Sequence, residues 1–430
     1  MRLTKLAAPI GAALLLAACG GGAAPSAAPA SSAAPKPASA AASAAASAKP
    51  AASASAKPAG SASAKPAASA AAKPAASGAG RQVRIGAAFS LTGPGSPYGP
   101  VQKNAVLLGQ DDVNKAGGVQ LNIDVQDDGS ARDQGINVMQ AHIKANSMAI
   151  MGPTLSGIAQ AADPIAQQEK TPVLGVSNTA GGITTIGDYI FRDSLAEEQV
   201  VPAMVKAVVD KFSPKKVAIM YANDQPFAKS GADAVKKEMD DRKIQVTDTE
   251  TFASNDKDFS AQLTKIKGTN PDAIFISALA DAGANIVDQA RKLGIPDSVH
   301  IIGGNGMNSP QIAKIAGKAA EGIIVGAAWI DTSPNPMSQD FVKNYKAKYN
   351  ADPDQFAAQA YAGVQILADA LKRTSLSGDV AKDRSALRDA MAQTKNVDTV
   401  LGKFSFTSGR DADHPPVVQV IKDGKFAIFS

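Results

Sequence analysis

Six short segments carry the side chains with the most to offer chemically: "SLTGPGSPYG" (90–99), "GPTLSG" (152–157), "SNTAGG" (177–182), "ANDQPF" (222–227), "ALADAG" (278–283) and "GGNGMN" (303–308). They are rich in Ser, Thr, Asn and Gly, and each follows a short apolar run. Hydroxyls and free backbone N–H groups beside helix starts suit an anionic group, most simply a carboxylate. One such loop alone is explained by a tight turn. Recurrence at one strand end after another points to a shared site.

The elements that must position these loops are legible around them. Short, β-branched apolar runs recur at 83–89, 121–125, 148–152, 172–177, 216–221, 244–248, 272–277, 299–304 and 322–328. Between most of them lie helix-length stretches with 3.6-residue patterning, such as Val200, Val201, Met204, Val205, Val208 and Phe212. Alternating strands and helices imply parallel sheets covered on both faces. About 350 residues exceed one typical core. The strands therefore predict two doubly wound α/β lobes, divided near residue 196, with three of the six loops from each lobe. Ligands in such sheets bind beyond the carboxyl ends of the strands, so the six loops predict a cleft.

Other chemistries find little support. Neither phosphate-loop pattern, G-x-G-x-x-G or G-x-x-x-x-G-K-[ST], follows the first strand, which weakens a nucleotide enzyme. His142, His300 and His414 are scattered without metal-binding spacing and read as structural or surface groups. Asp127 and Asp128 read as turn and helix-cap chemistry before a helix over 131–145, and "KKEMDDRK" (236–243) as a solvated helix end. No metal and no cofactor is expected. Cys19 is the only cysteine, so no intrachain disulfide exists.

The first 80 residues stand apart. Met1 to Ala18 carries Arg2 and Lys5 ahead of "LAAPIGAALLLAA", the layout of a secretory signal and too short to span a bilayer comfortably. "LAAC" (16–19) resembles the lipobox of bacterial lipoproteins, which implies that Cys19 is acylated and becomes the new N-terminus. From Gly20 to Gly80 every residue is Ala, Ser, Pro, Gly or Lys, with Lys-Pro at 49, 57, 65 and 73. Such a segment has no core to bury and reads as a tether. The net charge of +5 also comes from here, because seven of the 44 basic residues and none of the 39 acidic ones precede residue 81. The remainder is close to neutral, which gives no support to nucleic-acid binding.

Residues 81–430 resemble the leucine/isoleucine/valine-binding family, the solute-binding subunits of branched-chain amino-acid-type ABC transporters. The resemblance lies in "IGAAFSLTGPGSPYG", "DDVNKAGGV", "VQDDGSARDQG", "IMGPTLSG", "TPVLGVSNTA", "DKDFSAQLTKIK", "DQARKLGI" and "AAQAYAGVQILADAL", in family order. It implies a type I periplasmic binding protein fold, two lobes joined by three crossings and closing on a solute. The expected organisation is a signal at 1–18, a tether at 19–80, one lobe from 81–196 plus 328–412, and the other from 197–327 plus 413–430.

By the same resemblance, Tyr98 matches the aromatic that flanks the ligand, Ser156 the serine that bonds its carboxylate, and Ser177, Asn178, Thr179 and Ala180 the third loop of that lobe. Phe227 matches an aromatic of the closing face. Leu279 and Ala280 fall where amino-acid binders have a tyrosine. Asn305 falls where they place the glutamate that pairs with the α-ammonium, and a neutral amide supplies no such charge. Asp224 and Asp281, each in a cleft loop of the second lobe, are the acidic candidates that could replace it.

The implied function is a monomeric, extracytoplasmic, membrane-anchored receptor delivering a small carboxylate-bearing solute to an ABC permease. A ligand sensor reporting to a signalling partner uses the same cleft and is the second reading; an enzyme is the third. Cys19→Ser is expected to release the protein from the membrane fraction while leaving its melting curve unchanged. Retention of the variant in membranes at the parent's level would exclude the lipid anchor.

Overall fold

The computed structural model describes residues 82–430; the signal segment, Cys19 and the tether lie outside the described residues. Within them the chain builds two parallel sheets. The first holds β1 (Gln82–Phe89), β2 (Gln120–Asp127), β3 (Ala149–Met151), β4 (Val173–Gly175) and β5 (Ile190–Arg192), in the order β2-β1-β3-β4-β5. The second holds β6 (Lys216–Ala222), β7 (Gln245–Phe252), β8 (Ala273–Ser277), β9 (His300–Gly303) and β10 (Ile324–Ala327). A small antiparallel sheet follows, formed by β11 (Val397–Thr399), β12 (Gly402–Phe406) and β13 (Ala412–Asp413). The final hairpin, β14 (Val417–Lys422) and β15 (Lys425–Ile428), returns to the second sheet and completes the order β15-β14-β10-β9-β8-β6-β7.

Helices cover the sheets as the apolar spacing requires: α1 (Gly99–Ala116), α2 (Arg132–Lys144), α3 (Ser156–Gln168), α4 (Glu197–Phe212), α5 (Pro226–Arg242), α6 (Ser260–Gly268), α7 (Ala280–Lys292) and α8 (Gln311–Ala316). After β10 come α9 (Pro336–Tyr349), α10 (Gln355–Lys372) and α11 (Val380–Ala392). The chain passes between the lobes three times, after β5, after β10 and before β14. Central strands such as β8, "AIFIS", are buried at every residue, as a strand covered on both faces must be. Helix α10 packs on α1 and is buried at fifteen of its eighteen residues, which explains its almost unbroken apolar sequence.

In each sheet the strand order reverses beside the first strand, between β1 and β3 and between β6 and β8. The loops after these strands meet at the crevice that such a reversal creates.

The loop after β1 is held by the paired aspartates at the end of β2. Asp127 accepts from the Leu91 and Gly129 N–H groups at 2.9 and 2.8 Å and from Thr92 Oγ1 at 2.7 Å. Asp128 accepts from Ser90 Oγ at 2.6 Å and the Ser130 N–H at 2.9 Å. The turn chemistry expected of this pair is present, but the expected helix cap is not. The cap position of α2 is Ala131, whose methyl has no acceptor, and the two carboxylates are spent on the β1 loop and the turn at 129–130.

The histidines are placed in packing roles. His142 is buried with Nε2 at 3.2 Å from the Ala87 carbonyl, His300 stacks on Phe212 at 3.7 Å, and His414 is buried near Phe404. No cluster of His, Cys, Asp or Glu suited to a metal occurs among the described residues.

Gly99, the first residue of α1, lies so close to the loop that a Cβ there would fall 2.0 Å from the Ser90 carbonyl oxygen. The contact fixes where α1 starts and hence where its neighbour Tyr98 points. Gly99→Ala forces backbone apart and is expected to cost about 1–3 kcal/mol, read as a lower denaturant midpoint at unchanged slope. An unchanged midpoint would show that the loop yields freely.

Candidate functional site

Between the two sheets lies a small, tightly closed cavity of about 20 Å³. One wall consists of Tyr98, Thr154, Leu155, Ser156, Ser177 and Thr179. Phe227, Leu279, Asn305 and Gly306 form the other, and Phe356 from the first turn of α10 closes one side. No charged side chain lines it among the described residues.

Tyr98 stands at the boundary between the walls. Its ring packs on Phe356 with centroids 4.4 Å apart. Its hydroxyl donates to the Gly306 carbonyl at 2.7 Å and accepts from the Ala280 N–H at 2.7 Å. One phenol therefore joins β1's loop to two loops of the opposite lobe. Burial, with the nearby charges of Asp281 and Asp354, pushes its pKa well above the ordinary tyrosine value, so the donating proton stays in place.

Ser156 opens α3, whose preceding residue, Leu155, supplies no side-chain cap. Its Oγ accepts from the Thr179 and Ala180 N–H groups at 3.1 and 3.2 Å. With those two bonds accepted, the hydroxyl has its own proton left to give. A donor hydroxyl at an uncapped helix N-terminus is a site for an anionic oxygen.

Other hydroxyls are already committed. Ser177 Oγ accepts from Gln102 Nε2 at 2.8 Å and donates to the Thr154 carbonyl at 2.7 Å. Thr154 Oγ1 accepts from the Ser90 N–H at 3.0 Å and donates to Gln102 Oε1 at 2.7 Å. Buried Gln102 thus ties three loops together. Thr179 Oγ1 bonds Glu197 Oε1 at 2.7 Å. Burial pushes the Glu197 carboxyl up to about 7 despite that bond and the opposing charge of Arg192.

Of the residues expected at the site, Tyr98, Ser156, Ser177, Thr179, Phe227, Leu279 and Asn305 meet around the cavity. Three others stand behind it. Asn178 turns its side-chain amide to the Pro153 carbonyl at 2.6 Å, and its backbone carbonyl is held by Arg192 and Ser194. Ala180 gives its N–H to Ser156 and its carbonyl to Arg192. Ala280 spends its N–H on Tyr98. Neither expected substitute for a counter-charge lines the cavity: Asp224 binds the Ser254 N–H and hydroxyl at the surface, and Asp281 lies in the first turn of α7 outside the lining.

Sequence reasoning missed Thr154, Leu155, Gly306 and Phe356. The first three lie inside loops already marked by composition, one to two residues from a chosen position. Phe356 carried no loop signal, since it begins an apolar helix and reads as core.

Two doubly wound lobes with a cavity between the carboxyl ends of their strands define the type I periplasmic binding protein class. Residues 82–425 match the periplasmic binding protein family, and the chain belongs to it. The Leu/Ile/Val-binding protein BraC3 of Rhizobium johnstonii is 27% identical over 75% of this chain and 87% of its own. The leucine-, isoleucine-, valine-, threonine- and alanine-binding protein of Pseudomonas aeruginosa is 28% identical, over 71% of this chain and 82% of its own. Among solved structures, the branched-chain amino acid transporter substrate binding protein LivJ of Streptococcus pneumoniae, in complex with isoleucine, superposes with a TM-score of 0.75 at 28% identity. That match covers 80% of this chain and 98% of LivJ.

Glu197 gives the site a pH signature. Below pH 4.5 the group is neutral in folded and unfolded chains alike; between 4.5 and about 7 the unfolded chain releases a proton that the folded one keeps. The parent therefore loses stability as pH rises through that window. Glu197→Gln is expected to match the parent at the acid end and to exceed it above the window by on the order of 3 kcal/mol. Denaturant melts across pH check this, and a constant difference would place the titration elsewhere.

Proposed function

We propose that this protein is the solute-binding component of an ABC importer, capturing a small carboxylate-bearing solute between its lobes. The observation that carries this is Ser156: a hydroxyl whose accepting positions are filled by two backbone N–H groups, at the uncapped start of α3, inside an uncharged cavity walled by aromatic rings. Such a site compensates one anionic oxygen pair with donors and a helix terminus rather than with a counter-ion. The ligands named for the Rhizobium, Pseudomonas and Streptococcus relatives are small amino acids, which supports a solute of that size.

On this proposal Tyr98, Ser156, Ser177, Thr179, Phe227, Leu279 and Asn305 meet the solute, while Asn178, Ala180 and Ala280 hold them. Residues 81–196 with 328–412, and 197–327 with 413–430, move as the two bodies. The protein acts as a monomer outside the cytoplasm, tethered through lipidated Cys19 and residues 19–80, and presents its closed form to the permease. Binding shifts the population toward that form because the solute touches both lobes only when they meet.

A thermal-shift screen of small carboxylates, amines and sugars tests the solute class. A true ligand at a hundred times its dissociation constant adds about 2.7 kcal/mol to the folded state. Tyr98→Phe leaves the Gly306 carbonyl and Ala280 N–H without their partner on closure, and is expected to weaken the hit by ~10–100-fold. Shifts from amines or sugars with none from carboxylates would overturn the proposal.

A further inference from the structure

The polarity of the cavity at Asn305 is set from behind, by a residue that does not line it. Gln355, the first residue of α10, is buried, and its Oε1 accepts from the Ala328 N–H at 3.0 Å. A backbone N–H is a donor only, so this bond fixes which end of the Gln355 amide faces Ala328. The other end, Nε2, is therefore a donor facing Asn305, and it reaches Asn305 Oδ1 at 3.2 Å. The Asn305 amide is fixed in turn, because its acceptor is used. What remains is Nδ2, buried with no hydrogen-bond partner, on a residue that is 4% exposed and lines the cavity.

We propose that the Ala328–Gln355–Asn305 chain makes this site select carboxylates bearing a neutral acceptor, such as a 2-oxo group, where an α-amino acid carries its ammonium. The inference rests on the proposed capture of a small carboxylate and names the class of that solute. An α-ammonium brings donors and a positive charge to a position that already presents a donor. Thr179 Oγ1 is a neutral acceptor at best, and the carboxyl behind it, Glu197, holds its proton up to about pH 7. A carbonyl oxygen instead accepts from Nδ2 and gives that buried group a partner. A second carboxylate would bury another anion with no charged partner in the lining. Gln355 is thus a positioning residue, acting on the solute through Asn305.

The test is calorimetry on the full-length protein, below the Glu197 titration, with matched pairs: leucine and 4-methyl-2-oxopentanoate, valine and 3-methyl-2-oxobutanoate, phenylalanine and phenylpyruvate. In at least one pair the oxo acid is expected to bind ~100-fold more tightly than its amino acid. Gln355→Glu keeps an acceptor for Ala328 but presents a second acceptor to Asn305, which turns the amide and offers Oδ1 to the cavity. This variant is expected to reverse the preference within the pair, and Asn305→Asp, which needs no turning, to do the same. Tighter binding of the amino acids by the parent would overturn the inference while leaving carboxylate capture standing. An unchanged preference in a folded Gln355→Glu variant would overturn the relay. Binding of neither member of any pair, with another carboxylate found by the thermal-shift screen, would overturn the inference and leave the solute class standing.

Discussion

The closed arrangement turns on one phenol. Tyr98 Oη uses both its donor and its acceptor capacity across the cleft, to a carbonyl in the loop after β9 and to the first N–H of α7. Each of those backbone groups is buried with the lobes together, where an unpaired amide costs about 1–3 kcal/mol. The hydroxyl makes closure compatible with their burial. Its position depends in turn on the tight start of α1 at Gly99 and on the loop that Asp127 and Asp128 hold to the end of β2.

Behind this contact the first lobe's wall is held by shared hydrogen bonds. Gln102 links the hydroxyls of Ser177 and Thr154, and Arg192 gathers the carbonyls of Asn178 and Ala180. Networks of this kind cost little when complete and fix orientation strongly. Among the residues that line the cavity, the Ser156 proton and Asn305 Nδ2 stay unspent and define what it recognises. Both are donors, so the site is matched to acceptors.

This chain and LivJ share the same overall fold. Solute class is carried by a handful of groups on that frame. Fold similarity at a TM-score of 0.75 is therefore compatible with a different pattern of hydrogen-bond donors in the cleft.

The sequence by itself determined the two-lobed α/β architecture and the loops that form the site. Strand runs such as "AIFIS" and the 3.6-residue spacing of α4 are local patterns imposed by burial on both sides, and they can be read without knowing the partner. Within those loops, the resemblance to the leucine/isoleucine/valine-binding family pointed to Tyr98, Ser156 and Asn305. Tertiary structure alone decided what each of them does. Tyr98 finds Gly306 208 positions away, and Gln355 finds Asn305 50 positions away. No periodicity marks such pairs, because they arise from the meeting of separate elements. For the same reason the Ser177 hydroxyl became a strut, Asn178 turned away from the cavity, and Phe356, indistinguishable in sequence from a core residue, became part of its wall.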